Sequence, residues 1–165
     1  MREYIYEIFG IGDYEPFLEK YNPNFKIREE QNKLVYDMVK AFRSDKKQIL
    51  MEAPTGTGKT FIYTYISLVE YIVKMANTKD KFDNESYQSI FKNNKIVIVT
   101  NNKALQKQIH MDILNVIIPS LIAFFEYKGR LDCVEVINTL KVGIYKSKSN
   151  YLCVNALNKE YENKD

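Results

Sequence analysis

The sequence predicts an α/β protein with a parallel sheet flanked by helices, and a few observations carry that prediction. Apolar runs of strand length occur at residues 48–52 and 95–100. Each leads into a longer stretch whose apolar residues recur at three-and-four spacing, the helical period. A glycine-rich segment joins the first run to its helix, and strand, turn and helix in that order are the setting of phosphate-binding loops. Alternating strands and helices imply parallel pairing with right-handed crossovers.

Taken in order, residues 1–25 mix aromatics with Gly10, Gly12, Pro16 and Pro23, and read as an irregular arm with a helical turn. In residues 29–42, Leu34, Val35, Met38, Val39 and Phe42 share one helical face. Asp45-Lys46-Lys47 ends that helix and leads into the strand at 48–52. Residues 60–75 are rich in Tyr, Ile and Val, which would equally suit a strand; the length and the preceding loop favour a helix. Residues 77–94 are polar and read as a surface insertion with a short helix at 86–91. Residues 95–100 (Lys-Ile-Val-Ile-Val-Thr) are apolar through the centre, as a buried parallel strand requires. Residues 102–117 place Leu105, Ile109, Ile113 and Val116 on one helical face, and Pro119 follows. A turn is expected at Lys128-Gly129-Arg130, with candidate strands at 133–137 and 140–145 and a short charged tail after Cys153.

At 165 residues the chain is one domain or part of one. Lys and Arg exceed Asp and Glu by 24 − 21 = 3, too few to argue for nucleic acid, and the charges read as solvated surface. No apolar run looks long enough to span a bilayer, and Met1-Arg2-Glu3-Tyr4 does not open a secretory leader. Cys133 and Cys153 cannot build a disulfide framework. A cytoplasmic protein with no membrane partner is expected.

The chemistry concentrates in residues 51–60, Met-Glu-Ala-Pro-Thr-Gly-Thr-Gly-Lys-Thr. Gly56 and Gly58 let the backbone turn its N–H groups around phosphate oxygens. Lys59 can reach the β- and γ-phosphates, and the Thr60 hydroxyl can complete a Mg²⁺ shell. The next helix adds the positive end of its dipole. Ala53 stands where the pattern has its first glycine, which leaves the anion nest intact. The bland reading is an ordinary glycine-rich turn; the flanking strand and helix favour a nucleoside triphosphate.

Upstream, Arg28 and Gln31 sit one helical turn apart, and a Gln amide can both donate to and accept from an adenine edge. A guanine reader of the Asn-Lys-x-Asp kind is not matched, since Asn102-Lys103-Ala104-Leu105 lacks the Asp. After the strand at 95–100, Thr100, Asn101, Asn102 and Gln106 suit either a sugar-phosphate backbone or the capping of the next helix; on spacing alone, capping is the stronger reading. Lys141, Lys146 and Lys148, with Ser147, Ser149, Asn150 and Tyr151, suit a nucleic-acid backbone or a solvated loop. His110 belongs to no catalytic or zinc set, and a lone Cys is usually a small buried hydrophobe.

Together these segments resemble the DinG/XPD group of superfamily 2 DNA helicases. Arg28-x-x-Gln31 resembles their Q motif, residues 52–60 their motif I, and Thr100-Asn101-Asn102 with Leu105-Gln106-x-Gln108 their motif Ia. Lys148-Ser149-Asn150-Tyr151-Leu152-Cys153 is similar to the segment bearing the first cysteine of their iron–sulfur cluster. The resemblance implies a partial RecA-like P-loop domain, with residues 1–165 the N-terminal portion of the first motor domain. It implies ATP and Mg²⁺ as ligands, with Arg28, Gln31, Ala53, Pro54, Thr55, Gly56, Thr57, Gly58, Lys59 and Thr60 binding nucleotide. Lys59 and Thr60 would be catalytic, Thr60 meeting the metal, and Thr100, Asn101, Asn102 and Gln106 would touch single-stranded DNA. Cys153 would be one cluster ligand, although no cluster is expected with the cysteines present. No acidic Asp-Glu-x-His motif follows, so an ATP-binding fragment that cannot unwind DNA alone is the leading expectation. The remaining helicase domains, or another protein, would then cover an open sheet edge. The rivals are a short natural protein acting as decoy or inhibitor of a nucleic-acid machine, and a self-sufficient P-loop ATPase using Glu52, Asp112 or Asp132 as its acid.

Overall fold

Helices form wherever apolar residues recur at three and four, beginning within the segment that reads as an arm. In the computed structural model, which describes residues 2–42, 44, 48, 50, 52, 54, 56–79, 81–100 and 102–146, α1 (Arg2–Phe9) buries Ile5, Ile8 and Phe9. A short α2 (Phe17–Tyr21) buries Leu18. The chain then folds back because Glu19 accepts the backbone N–H of Ile27 at 2.8 Å and pairs with Lys26 at 3.2 Å. That N–H, and then the ammonium, hold the Glu19 carboxyl below its ordinary range. α3 spans Glu29–Phe42, the bounds expected, and buries Leu34, Val35, Met38 and Val39.

α4 (Lys59–Lys79) is the centre of the molecule. It packs against α3, against α5 (Asn84–Asn93), against α6 (Lys103–Asp112), and against α8 (Leu131–Thr139). A helix enclosed on so many sides must be apolar nearly all round. Ile62, Tyr65, Ile66, Val69, Ile72, Val73, Met75 and Ala76 are all buried in it, which explains the Tyr-, Ile- and Val-rich composition. The Tyr65 and Ser120 hydroxyls lie 2.8 Å apart inside this core. Ser120 also bonds the Ile117 carbonyl, which accepts its hydrogen, so Tyr65 is the donor to Ser120. Between α6 and α7 (Ile118–Tyr127) lies a π-helical turn, Ile113–Ile117, and the Ile118 N–H donates to Ile113 O.

Three expectations are corrected. First, the α/β class with its parallel sheet is not formed: among the described residues the chain is helical, without a strand. Residues 95–100 carry no regular structure, with Val97 77% and Val99 85% exposed, and Leu50 in the other expected strand is fully exposed. A buried parallel strand needs neighbours on both sides and helices over both faces. Here the helices bury one another around α4 instead, and among the described residues neither apolar run pairs in a ladder. The open sheet edge expected to receive a partner is therefore absent among the described residues. Second, the candidate strands at 133–137 and 140–145 are α8 followed by irregular chain. Cys133, Val136 and Ile137 are buried at helical spacing on α8. Third, the helix expected at 102–117 does not stop there but runs on through Pro119 into α7. Pro119 falls at the start of α7, where a missing N–H costs least, and the wide π turn just before it relieves the ring's clash with the preceding turn.

Within the 25-residue helical run Lys103–Tyr127 an 18-residue stretch reaches a mean hydropathy of 1.5, so by length and composition it could cross a membrane, contrary to expectation. Its apolar side chains Ile113, Ile117, Leu121, Phe124 and Phe125 are spent on the core. The turn at Lys128–Arg130 is present, and Arg130 ties α8 to α1 and to the end of α4. Its guanidinium donates to Asp132 at 2.7 Å, to the Tyr4 hydroxyl at 2.9 Å and to Asn77 at 3.0 Å.

Candidate functional site

The glycine-rich loop enters α4 directly, and two left-handed glycines shape it. Gly56 has φ +83° and Gly58 φ +73°, conformations that side-chain-bearing residues rarely adopt. The first α4 hydrogen bond runs from the Ile62 N–H to Gly58 O at 3.1 Å. The helix amides ahead of it face the loop without intrahelical partners, as at every helix start, and the helix dipole adds positive potential there. Lys59 and Thr60 are the first residues of α4 and stand at that end.

Among the described residues the loop carbonyls of Pro54, Gly56, Thr57 and Gly58 are occupied, which is what an anion site needs, because a carbonyl aimed at phosphate would repel it. Thr57 Oγ1 donates to Pro54 O at 3.0 Å, and Lys59 Nζ donates to the same oxygen at 3.4 Å. Arg28 Nη1 donates to Gly56 O at 3.3 Å, and Gln31 Nε2 donates to Thr57 O at 3.0 Å. Gln31 is itself held at the α3 N-terminus, where its Oε1 accepts the Arg28 backbone N–H at 3.0 Å. The contact is tight: a Cβ placed on Gly58 would lie 2.7 Å from Gln31 Nε2. Gly58 is thus a glycine for two reasons, its φ and the amide pressed against it.

The structure therefore brings Arg28, Gln31, Pro54, Gly56, Thr57, Gly58, Lys59 and Thr60 together. Ala53, Thr55, Asn101 and Cys153 lie outside the described residues. The other cluster organises itself around the start of α6. Asn102 caps that helix, its Oδ1 accepting the Leu105 N–H at 3.1 Å. Thr100 Oγ1 accepts the Asn102 N–H at 3.2 Å, and Gln106 Nε2 donates to Thr100 O at 2.9 Å.

A family profile described as type III restriction enzyme, res subunit, matches residues 24–132, a span that holds both the loop and the α6 cluster. The chain belongs to this family. As a member of the type III restriction enzyme res subunit family it is also similar to named helicases. One is the ATP-dependent DNA helicase YoaA of Escherichia coli (strain K12), 28% identical over 143 residues. The match covers 87% of this chain and 16% of that protein. Another is the ATP-dependent DNA helicase YoaA of Haemophilus influenzae (strain ATCC 51907 / DSM 11121 / KW20 / Rd), 28% identical over 133 residues. There the match covers 81% of this chain and 15% of the relative. The expected likeness to DinG-type helicases is thus present as distant, partial homology over most of the chain. No solved structure matches significantly.

The residues fit a magnesium nucleotide in a limited way. Thr60 offers a hydroxyl and Lys59 a cation at a helix start. Among the described residues no group of three or more His, Cys, Asp or Glu side chains could hold a metal. Mg²⁺ would therefore rest on the nucleotide's own phosphates together with Thr60. When bound it would spread the phosphate charge; the loop amides and Lys59 would do the same from the protein side. Cys133 is buried on α8, and burial pushes its thiol up to about 11, which suits packing better than ligation. Sequence reasoning missed the Gln31–Gly58 contact, which is tertiary. It also missed the buried Thr64 hydroxyl, which apolar periodicity does not flag.

Proposed function

We propose that the chain binds Mg·ATP at residues 53–60 and is the nucleotide-binding N-terminal part of a DinG-like DNA helicase motor. The observation that carries this reading is the loop geometry. Left-handed Gly56 and Gly58 lead into a helix that starts with Lys59 and Thr60, and Arg28 and Gln31 hold the loop carbonyls from outside. The names of the relatives supply the reaction class, ATP-dependent work on DNA. A protein of that class acts where DNA is kept, inside the cell.

Arg28 and Gln31 carry two roles in this proposal. They set the loop, and the Gln31 amide retains one N–H and one lone pair with which to meet an adenine edge. Lys59 leaves Pro54 O for the terminal phosphates, and Thr60 turns its hydroxyl to Mg²⁺. Thr100, Asn101, Asn102 and Gln106 form a polar helix start suited to the backbone of single-stranded DNA, with remaining helicase domains completing the groove. Hydrolysis needs a carboxylate to organise Mg²⁺ and water and a cation on the transferred phosphate. The sequence carries no Asp-Glu-x-His motif, so the chain alone binds nucleotide without rapid turnover and does not unwind DNA.

Calorimetric titration of Mg·ATP and Mg·GTP into the chain and into Gln31→Ala tests this. ATP should bind and GTP should bind more weakly, with the preference reduced in Gln31→Ala. Equal affinities in the unsubstituted chain would remove the adenine role; absence of heat for either would remove the nucleotide site.

A further inference from the structure

Beside the loop, the first turns of α4 bring Thr60, Phe61 and Thr64 up to Ile109 and Asp112 of α6 and Ile117 of the π-helical turn. These side chains line a recess of about 10 Å³, near the smallest space that holds one water molecule. Thr64 is only 2% exposed, and its Oγ1 finds no hydrogen-bond partner among the described residues. A helical Thr commonly satisfies its hydroxyl on the carbonyl one turn back, and this one does not. Leaving a buried hydroxyl without a partner is costly, so the position calls for a ligand.

The opposite wall supplies the second contact. Burial pushes the Asp112 carboxyl above its ordinary value, while a Gln108 hydrogen bond acts the other way. The π-helical turn begins at the residue after Asp112, and single π turns often mark functional positions. A ligand here must accept from a hydroxyl and donate to a carboxylate, and must be one heavy atom in size. Water meets all three conditions. A divalent cation does not, because no cluster of three or more acidic, His or Cys side chains surrounds the recess among the described residues.

The geometry points to an ordered-water site in which one water accepts from Thr64 and donates to Asp112, tying the first turns of α4 to the end of α6. Thr60 lines the same recess, so the site braces the helix start that presents the loop. It stands whether or not the loop takes ATP.

A double-mutant cycle of Thr64→Val and Asp112→Asn in the full chain, followed by urea unfolding, tests the bridge. Coupling between the positions should change the unfolding equilibrium by about twofold or more. Thr64→Ser, which keeps the hydroxyl, should retain the coupling that Thr64→Val abolishes. Additive effects, or coupling that ignores the hydroxyl, would overturn the proposal. Should the variants fail to fold, a water–protein cross-relaxation spectrum of the unsubstituted chain decides. A long-lived water signal at the Thr64 methyl supports the site, and its absence overturns it.

Discussion

Replacing Gly58 by Ala should cost more than the same change at Gly56, although both residues have left-handed φ. At Gly56 a Cβ meets nothing within 4 Å among the described residues, so the backbone conformation is what counts. The left-handed conformation costs an Ala about 1–2 kcal/mol. The stiffer unfolded chain offsets roughly 0.4–1 kcal/mol of that, which leaves about 1 kcal/mol. At Gly58 the new Cβ would lie 2.7 Å from Gln31 Nε2, so the amide must leave. It then gives up its bonds to Thr57 O and from the Arg28 N–H. At about 0.5–1.5 kcal/mol for each hydrogen bond, reduced by their partial exposure, Gly58→Ala should total about 2–3 kcal/mol. Urea unfolding followed by circular dichroism resolves that difference. In a Gln31→Ala background the clash disappears, and the cost of Gly58→Ala should fall to that of Gly56→Ala. Equal costs at the two glycines in the unsubstituted chain, or no relief in the Gln31→Ala background, would refute the role given to the Gln31 amide.

The remaining expectations concern the scaffold. Tyr65→Phe deletes the donor to Ser120, which keeps its own bond to Ile117 O, so thermal unfolding should show a loss of about 1 kcal/mol. The Asp132 carboxyl is held low by the Arg130 guanidinium, and Glu19 by the Ile27 N–H and Lys26. A depressed folded pKa contributes stability in full above the ordinary carboxylate range and loses it as pH falls through the folded value. The unfolding midpoint should therefore drop below about pH 4, and Asp132→Asn should flatten that drop. Val97→Thr should change stability by no more than about 0.5 kcal/mol, because Val97 is 77% exposed. A loss of several kcal/mol on equilibrium unfolding would restore the buried strand that the structure removes.

How much of this was legible depends on whether the signal was local. The apolar stripe of α3 is a pure three-and-four pattern, and its bounds followed from it. The left-handed turn at Gly56 and Gly58 before α4 was also a local signal, since glycines ahead of an apolar helix stand in adjacent residues. The segments at 95–100 and 133–137 misled for different reasons. A short apolar run such as 133–137 suits a strand or a buried helix, and only tertiary neighbours decide. The segment 95–100 has no strand beside it among the described residues and stays irregular and exposed. For α8 the helical alternative was visible in Cys133, Val136 and Ile137, as it was for α1 in Ile5, Ile8 and Phe9. The capping role of Asn102 was readable from its place before an apolar-periodic segment. The contacts of Gln31 with Thr57 and of Arg28 with Gly56 span 26 and 28 residues, and no local pattern encodes them.

The most direct test of the account compares Mg·ATP with Mg·ADP by calorimetry in the unsubstituted chain and in Lys59→Ala. In the proposed function Lys59 meets the terminal phosphates, so its removal should weaken ATP by about tenfold or more while ADP changes less. Equal loss for both nucleotides would take Lys59 off the terminal phosphates. No binding of ATP to the unsubstituted chain would contradict the phosphate-binding loop itself.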